Sequence, residues 1–189
     1  MTIQEAIEAR HSVRAYKDLP LSEEIVKLLE DELVKLNNEG QLHIQLICNE
    51  PKAFQGTMAK YGKFRNVNNY LVMAGEKAED LDERIGYYGE HLVLLAQTLG
   101  LNTCWVGLSY SKVPGTYVLE EGEKIACYIA IGYGETQGVG HKIKTVEQVS
   151  NASDITPLWF KKGVEAALLA PTAVNQQKFS FEYVGMSNN

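Results

Sequence analysis

Cysteine is scarce and odd in number. Cys48, Cys104 and Cys127 are the three in 189 residues. They are far apart and each lies among apolar residues, so reduced core thiols of a cytoplasmic protein are expected, not a disulfide frame or zinc site. The four histidines show no H-x-x-x-H spacing, and no metal is expected. Blocks of basic charge are lacking and the net charge is −6, which argues against a nucleic-acid partner. No apolar run reaches the roughly 20 residues of a membrane span. The polar, acidic N-terminus is unlike a secretory leader. Repeats and low-complexity linkers are absent too. The length suits a single domain over 1–189, or one subunit of an intertwined dimer. With an apolar share of 45%, a sizeable core is expected.

What is present alternates between helical and strand periodicities. Thr2 caps a first helix over residues 2–9, with Glu5 placed for a capping box. Ser22 caps a second, running to about Asn37, with a buried stripe of Ile25, Leu28, Leu29, Leu33 and Leu36 and an end at Asn37–Gly40. Leu42–Cys48 alternates as a strand, with His43 on its solvated face. Residues 51–66 read as a loop with one helical turn, and Tyr70–Ala74 as a short apolar strand. Leu81–Leu99 is the strongest helix. Ile85, Tyr88, Leu92, Leu95 and Leu99 form one stripe, and Val93, Leu94 and Ala96 make its second half apolar nearly all round. Such a helix belongs in a core or in a subunit interface. Ile125–Gly132 is a continuous apolar strand, buried on both faces. A last helix over 156–169, capped by Thr156 or Asp154, precedes a closing strand, Lys178–Val184, with Phe179, Phe181 and Tyr183 on one face.

Chemistry concentrates in Arg10-His11-Ser12-Val13-Arg14-Ala15-Tyr16. If this stretch is extended, Arg10, Ser12 and Arg14 share a face. Two planar, permanently charged forks and a hydroxyl then suit a phosphate. The competing reading is a solvated basic run whose arginines complement a helix C-terminus. A second stretch, Ala170-Pro171-Thr172-Ala173-Val174-Asn175-Gln176-Gln177, lies near the other end. Gly132-Tyr133-Gly134 is not a dinucleotide fingerprint, because Gln137 stands where a third glycine is required.

The two stretches together resemble the motifs of the nitroreductase-like flavoproteins, which hold FMN between two subunits. That family opens with a helix and Arg-Arg-Ser-x-Arg-x-Phe. Its Ala-Pro-Ser-x-x-Asn-x-Gln-Pro-Trp motif is similar to residues 170–179 here. Leu99–Gly107 resembles the family's Gly-Leu-Gly-Thr-x-Trp-x-Gly segment. The resemblance covers most of the chain in a rearranged order: the Pro-Thr-x-x-Asn motif follows the last helix, not the second. Lys178-Phe179 stands where the family has Pro-Trp.

The resemblance implies an α+β fold: a central mixed sheet of four or five strands flanked by helices, in an intertwined homodimer with the 81–99 helix at the interface. It implies FMN as cofactor, NAD(P)H as electron donor, and a small acceptor such as a nitroaromatic or quinone. Arg10, Ser12 and Arg14 would hold the phosphate and ribityl chain, and His11 would contact it through its backbone. Trp105, Val106 and Gly107 would approach the ring. Thr172 and Asn175 would bond the ring edge or ribityl hydroxyls, and Lys142 or Lys144 the phosphate. No catalytic acid or nucleophile is expected, since the flavin carries the chemistry. The alternative on the same fold is a non-enzymatic FMN-binding or carrier protein.

Overall fold

The computed structural model describes residues 1–185. The chain divides into two compact units, 1–139 and 140–189.

The N-terminal unit carries the sheet. Its elements are α1 (Ile3–Ala9), α2 (Glu23–Gly40), β1 (Gln45–Ile47), α3 (Thr57–Tyr61), β2 (Asn69–Glu76), α4 (Leu81–Thr98), β3 (Asn102–Val106) and β4 (Glu123–Gly132). The strands are ordered β1-β2-β4-β3, so the α+β class with flanking helices holds. The pairing is simpler than a mixed sheet: all three ladders are antiparallel. Parallel pairing enters this unit through isolated bridges, Ser12–Thr103 and Ala15–Arg65.

Seven of the eight residues of β2 are buried, because both faces of the sheet are covered. Leu71, Met73 and Ile129 pack against Leu33, Leu36, Ile85, Leu92 and Val93 of α2 and α4. Each such side chain contributes about 1.5–3 kcal/mol when fully buried. The other face meets irregular chain: Tyr70, Val72, Cys104, Val106, Tyr128 and Ala130 pack with Val13, Tyr16, Phe54, Phe64 and Val67. There Tyr128 lies between two tyrosines, Tyr70 at 5.0 Å and Tyr110 at 3.9 Å between ring centroids. Burial pushes the Tyr128 phenol far up.

The capping box of Thr2 and Glu5 forms, and Ser22 caps α2 by accepting from Ile25 N. Other boundaries moved. α2 continues to Gly40, and Gln41 takes the left-handed position at φ 49°. Gly40 instead lies against the Tyr88 ring, and Asn37 spends its amide on both main-chain groups of Ile44. β1 is three residues long where seven were expected, although His43 N still donates to Ala74 O in the same register. Leu28 is 44% exposed and outside the stripe. His43 is not simply solvated: its Nδ1 lies 2.8 Å from the Glu123 carboxylate. Residues 51–66 hold a 3-10 turn at Lys52–Phe54 as well as α3. Only the second half of β4 is fully buried.

The C-terminal unit contains α5 (Val146–Val149) and α6 (Leu158–Leu168). Its small core is Val149, Val164 and Leu168, with Val146, Phe160, Phe179 and Phe181 against it. Neither Thr156 nor Asp154 caps α6. Pro157 occupies that position without a side-chain bond, because the Thr156 hydroxyl accepts from Ser153 N at 2.9 Å. The expected closing strand is reduced to one parallel bridge, Ser150–Phe181. Its aromatics still gather, Phe179 on Phe181 at 5.4 Å and Tyr183 on Phe160 at 5.5 Å. No helix among the described residues is long and apolar enough to cross a membrane.

Candidate functional site

β3 is an edge strand, and its open edge receives the arginine stretch. Val13 N donates to Thr103 O at 3.0 Å, and Ser12 bridges Thr103. Further on, Arg65 N donates to Arg14 O and Tyr16 N to Arg65 O. Val13 and Tyr16 point into the core at 3% and 1% exposure, and the Tyr16 hydroxyl donates to Val13 O. These anchors hold residues 12–16 between two pairing partners, and strict alternation breaks within the stretch, since Val13 and Tyr16, three residues apart, enter the same core cluster. Gly138 closes over the stretch from the β4 side. At φ +79° it occupies a left-handed position, and a Cβ there would stand 2.7 Å from His11 Cβ.

Arg10, Ser12 and Arg14 all act on Cys104 of β3. Burial pushes the Cys104 thiol up, while the Arg14 charge, a hydrogen bond from Ser12 and the Arg10 charge pull it down. The two guanidiniums differ otherwise. Arg14 is exposed and lies over the Phe64 ring at 5.9 Å. Arg10 ends α1, its N–H donating to Ala6 O, yet its side chain is 6% exposed. Its ionic partner is Glu90 of α4, with Nη1 and Oε1 3.9 Å apart, too long for a hydrogen bond. No hydrogen bond joins the Arg10 guanidinium to another described residue. Its nitrogens are not among the buried polar atoms left without a partner, and an anion reaching this corner would add charge-assisted contacts to the guanidinium.

Glu90 was not legible as a site residue. It also accepts from Trp105 Nε1 at 3.0 Å, and burial raises its pKa against the opposing pull of Arg10 and Trp105. The Trp105 ring reaches α4 because residue 89 is glycine: a Cβ there would stand 2.5 Å from the indole. The one hint in the sequence was a carboxylate inside the nearly all-apolar half of a helix. Of the other two residues expected near a ring, Val106 is buried in the core at 3% exposure and offers a ligand main chain only. Gly107 is exposed, with nothing within 4 Å of where a Cβ would be.

Lys142, Lys144, Thr172 and Asn175 lie together in the C-terminal unit, around a residue that sequence reasoning passed over. Gln177 is 4% exposed. Its Oε1 accepts from Lys144 N and its Nε2 donates to Lys142 O. Its own N–H donates to the Thr172 hydroxyl, and its carbonyl accepts from Lys144 Nζ at 2.8 Å. Asn175 Nδ2 donates to Lys142 O as well. Val174, Asn175 and Gln177 all have positive φ, at 48°, 55° and 46°.

A polar cleft of about 410 Å3 in the N-terminal unit, lined by Asp18, Asn49, Gln55, Asn66 and Asn68, contains none of these residues. Among the described residues no cluster of three or more His, Cys, Asp or Glu could hold a metal.

The family model described as "Putative TM nitroreductase" matches residues 2–188. Among solved structures, a putative nitroreductase from Thermotoga maritima is 26% identical, with a TM-score of 0.69 over 98% of this chain and 73% of that one. A putative nitroreductase from Desulfovibrio desulfuricans, solved in complex with FMN, has a TM-score of 0.60 at 18% identity, covering 83% of this chain and 99% of that one. A nitroreductase from Bacteroides fragilis with bound FMN has a TM-score of 0.52 at 21% identity, over 84% and 99%. The last two likenesses are of fold. No protein of curated function matches the sequence.

Proposed function

The chain belongs to this nitroreductase family, and from that premise we propose that it is an FMN-dependent oxidoreductase, taking electrons from NAD(P)H and passing them to a nitroaromatic, quinone or similar small acceptor. The observation that carries the reading is the Arg10 guanidinium, 6% exposed and 3.9 Å from its ionic partner. A phosphate dianion fits that corner. It would accept bidentate, charge-assisted hydrogen bonds from a fork that otherwise has none to another described residue.

FMN, when bound, supplies the hydride chemistry. The chain binds and orients it. Arg10 and Ser12 take the phosphate, and Arg14 neutralises charge from the exposed side. His11 contributes main chain beside Gly138. The exposed main chain at Gly107, carried by Trp105 and Val106 in β3, offers backbone groups to a planar ring. Lys142, Lys144, Thr172 and Asn175 are assigned to the same cofactor on the motif resemblance. In this reading residues 1–189 work as one FMN-binding domain in a cytoplasmic homodimer, with α4 at the interface.

The test is an absorbance spectrum of the purified protein with FMN added, desalted, then treated with NADPH and with NADH under nitrogen. Flavin bands that survive desalting and bleach with either donor are expected. Bound flavin that neither donor bleaches would replace the enzyme with an FMN carrier. No retained flavin would remove the cofactor assignment altogether.

A further inference from the structure

Glu90 is the least explained charge in the N-terminal unit. It sits in α4 between buried Gly89 and exposed His91, with its side chain 28% exposed. Its two oxygens do different things. Oε2 takes the indole N–H of Trp105 at 3.0 Å, and Oε1 faces Arg10 Nη1 at 3.9 Å. The indole bond anchors the carboxylate, and Gly89 is what lets Trp105 come close enough to make it. A partner whose task was to neutralise Arg10 would close to roughly 2.7–2.9 Å and consume one or two of its N–H groups. At 3.9 Å the guanidinium feels the carboxylate field while its five donors stay unspent on it.

We propose that Glu90, anchored by Trp105, is a positioning residue for the phosphate site: it fixes the direction in which Arg10 presents its N–H groups to the phosphate of the cofactor. The inference rests on the FMN reading above. It adds that the ring-side strand β3 and the phosphate corner are joined through one carboxylate on α4.

The experiment compares two ligands that differ by the phosphate alone, FMN and riboflavin, by fluorescence titration of the apo-protein. Glu90→Gln keeps an acceptor for Trp105 and removes the charge facing Arg10. It is expected to weaken FMN about tenfold, a loss within the range of one charge-assisted contact, and to leave riboflavin affinity unchanged. Combined with Arg10→Ala it should add no further loss, because Glu90 acts through Arg10. Unchanged or tighter FMN binding in Glu90→Gln overturns the proposal. So does an equal loss for both ligands, which marks a packing role. Trp105→Phe removes the anchor and keeps the charge, and a loss larger for FMN than for riboflavin is expected; an equal loss for both overturns the proposal if Glu90→Gln does not fold. Arg10→Ala read alone tests the underlying phosphate assignment: equal FMN and riboflavin losses there remove that reading, whatever Glu90 does.

Discussion

The arginine corner on β3 and the Gln177 loop both resemble motifs of one family, yet they differ in where their polar groups are spent. At the corner, Arg10 is buried with no hydrogen bond to another described residue, and its carboxylate stands off at 3.9 Å. In the loop the side chains satisfy one another: Lys144 Nζ is bound to Gln177 O, and Asn175 and Gln177 both donate to Lys142 O. A ligand reaching the corner gains contacts at little loss to the protein. A ligand taking the Lys144 amine must first break a bond at 2.8 Å. Motif resemblance locates candidates, and the hydrogen-bond ledger ranks them.

The contrast predicts its own tests. The largest effect is at the corner: Arg10→Ala should cost about 1.5–3 kcal/mol of FMN affinity and spare riboflavin, with Arg14→Ala smaller because that side chain is exposed. A Lys144→Ala loss as large as that of Arg10→Ala, in an equilibrium FMN titration, would erase the ranking. Next, Gln177→Ala should loosen the C-terminal unit. It removes part-buried bonds to Lys142 and Lys144, at about 1 kcal/mol, read as faster amide exchange confined to residues 140–185. Third, Val174 is a β-branched residue at φ 48° and 97% exposed, a strain of about 1–2 kcal/mol. Val174→Asn, which tolerates that conformation, should raise the thermal midpoint by a small amount, and a fall would show that Val174 packs on something.

The smallest effect concerns pH. Burial raises the Glu90 pKa in the folded chain above its ordinary value of 4.5. The folded state therefore holds more protons than the unfolded one between 4.5 and that raised value. Stability of the apo-protein should fall as pH rises through this window and level off above it, since the ionised form is the one burial penalises. Arg10 opposes the shift, which keeps the effect modest. Glu90→Gln should remove that slope from urea midpoints, and an identical slope in both proteins would assign it elsewhere.

Much of the fold was legible. The periodicity of α4, the Thr2 and Ser22 caps and the apolar run of β2 each depend on nearest neighbours along the chain. Failures came where a distant residue took over a local signal. Gly40 looked like a helix stop but lies against Tyr88, so Gln41 carries the turn. Thr156 looked like a cap but bonds Ser153. In the candidate site, residue types were readable from spacing, while their states of burial were not. Arg10 and Arg14 are alternate residues of one motif, one at 6% exposure and one exposed. Glu90 carried no motif, being an ordinary polar residue whose partners are far along the chain, and Gln177 stood in the second stretch without a role of its own, its bonds to Lys142 and Lys144 being set by folding.

By itself the sequence determined the class of fold, the family and the two stretches on which to look, because those follow from periodicity and from short-range order of residue types. Only tertiary structure decided which of the candidate groups are left with something to offer a ligand. Desolvation and hydrogen-bond satisfaction are set by what packs around a group, and for Arg10 that is a carboxylate on α4, 80 positions from it in the chain.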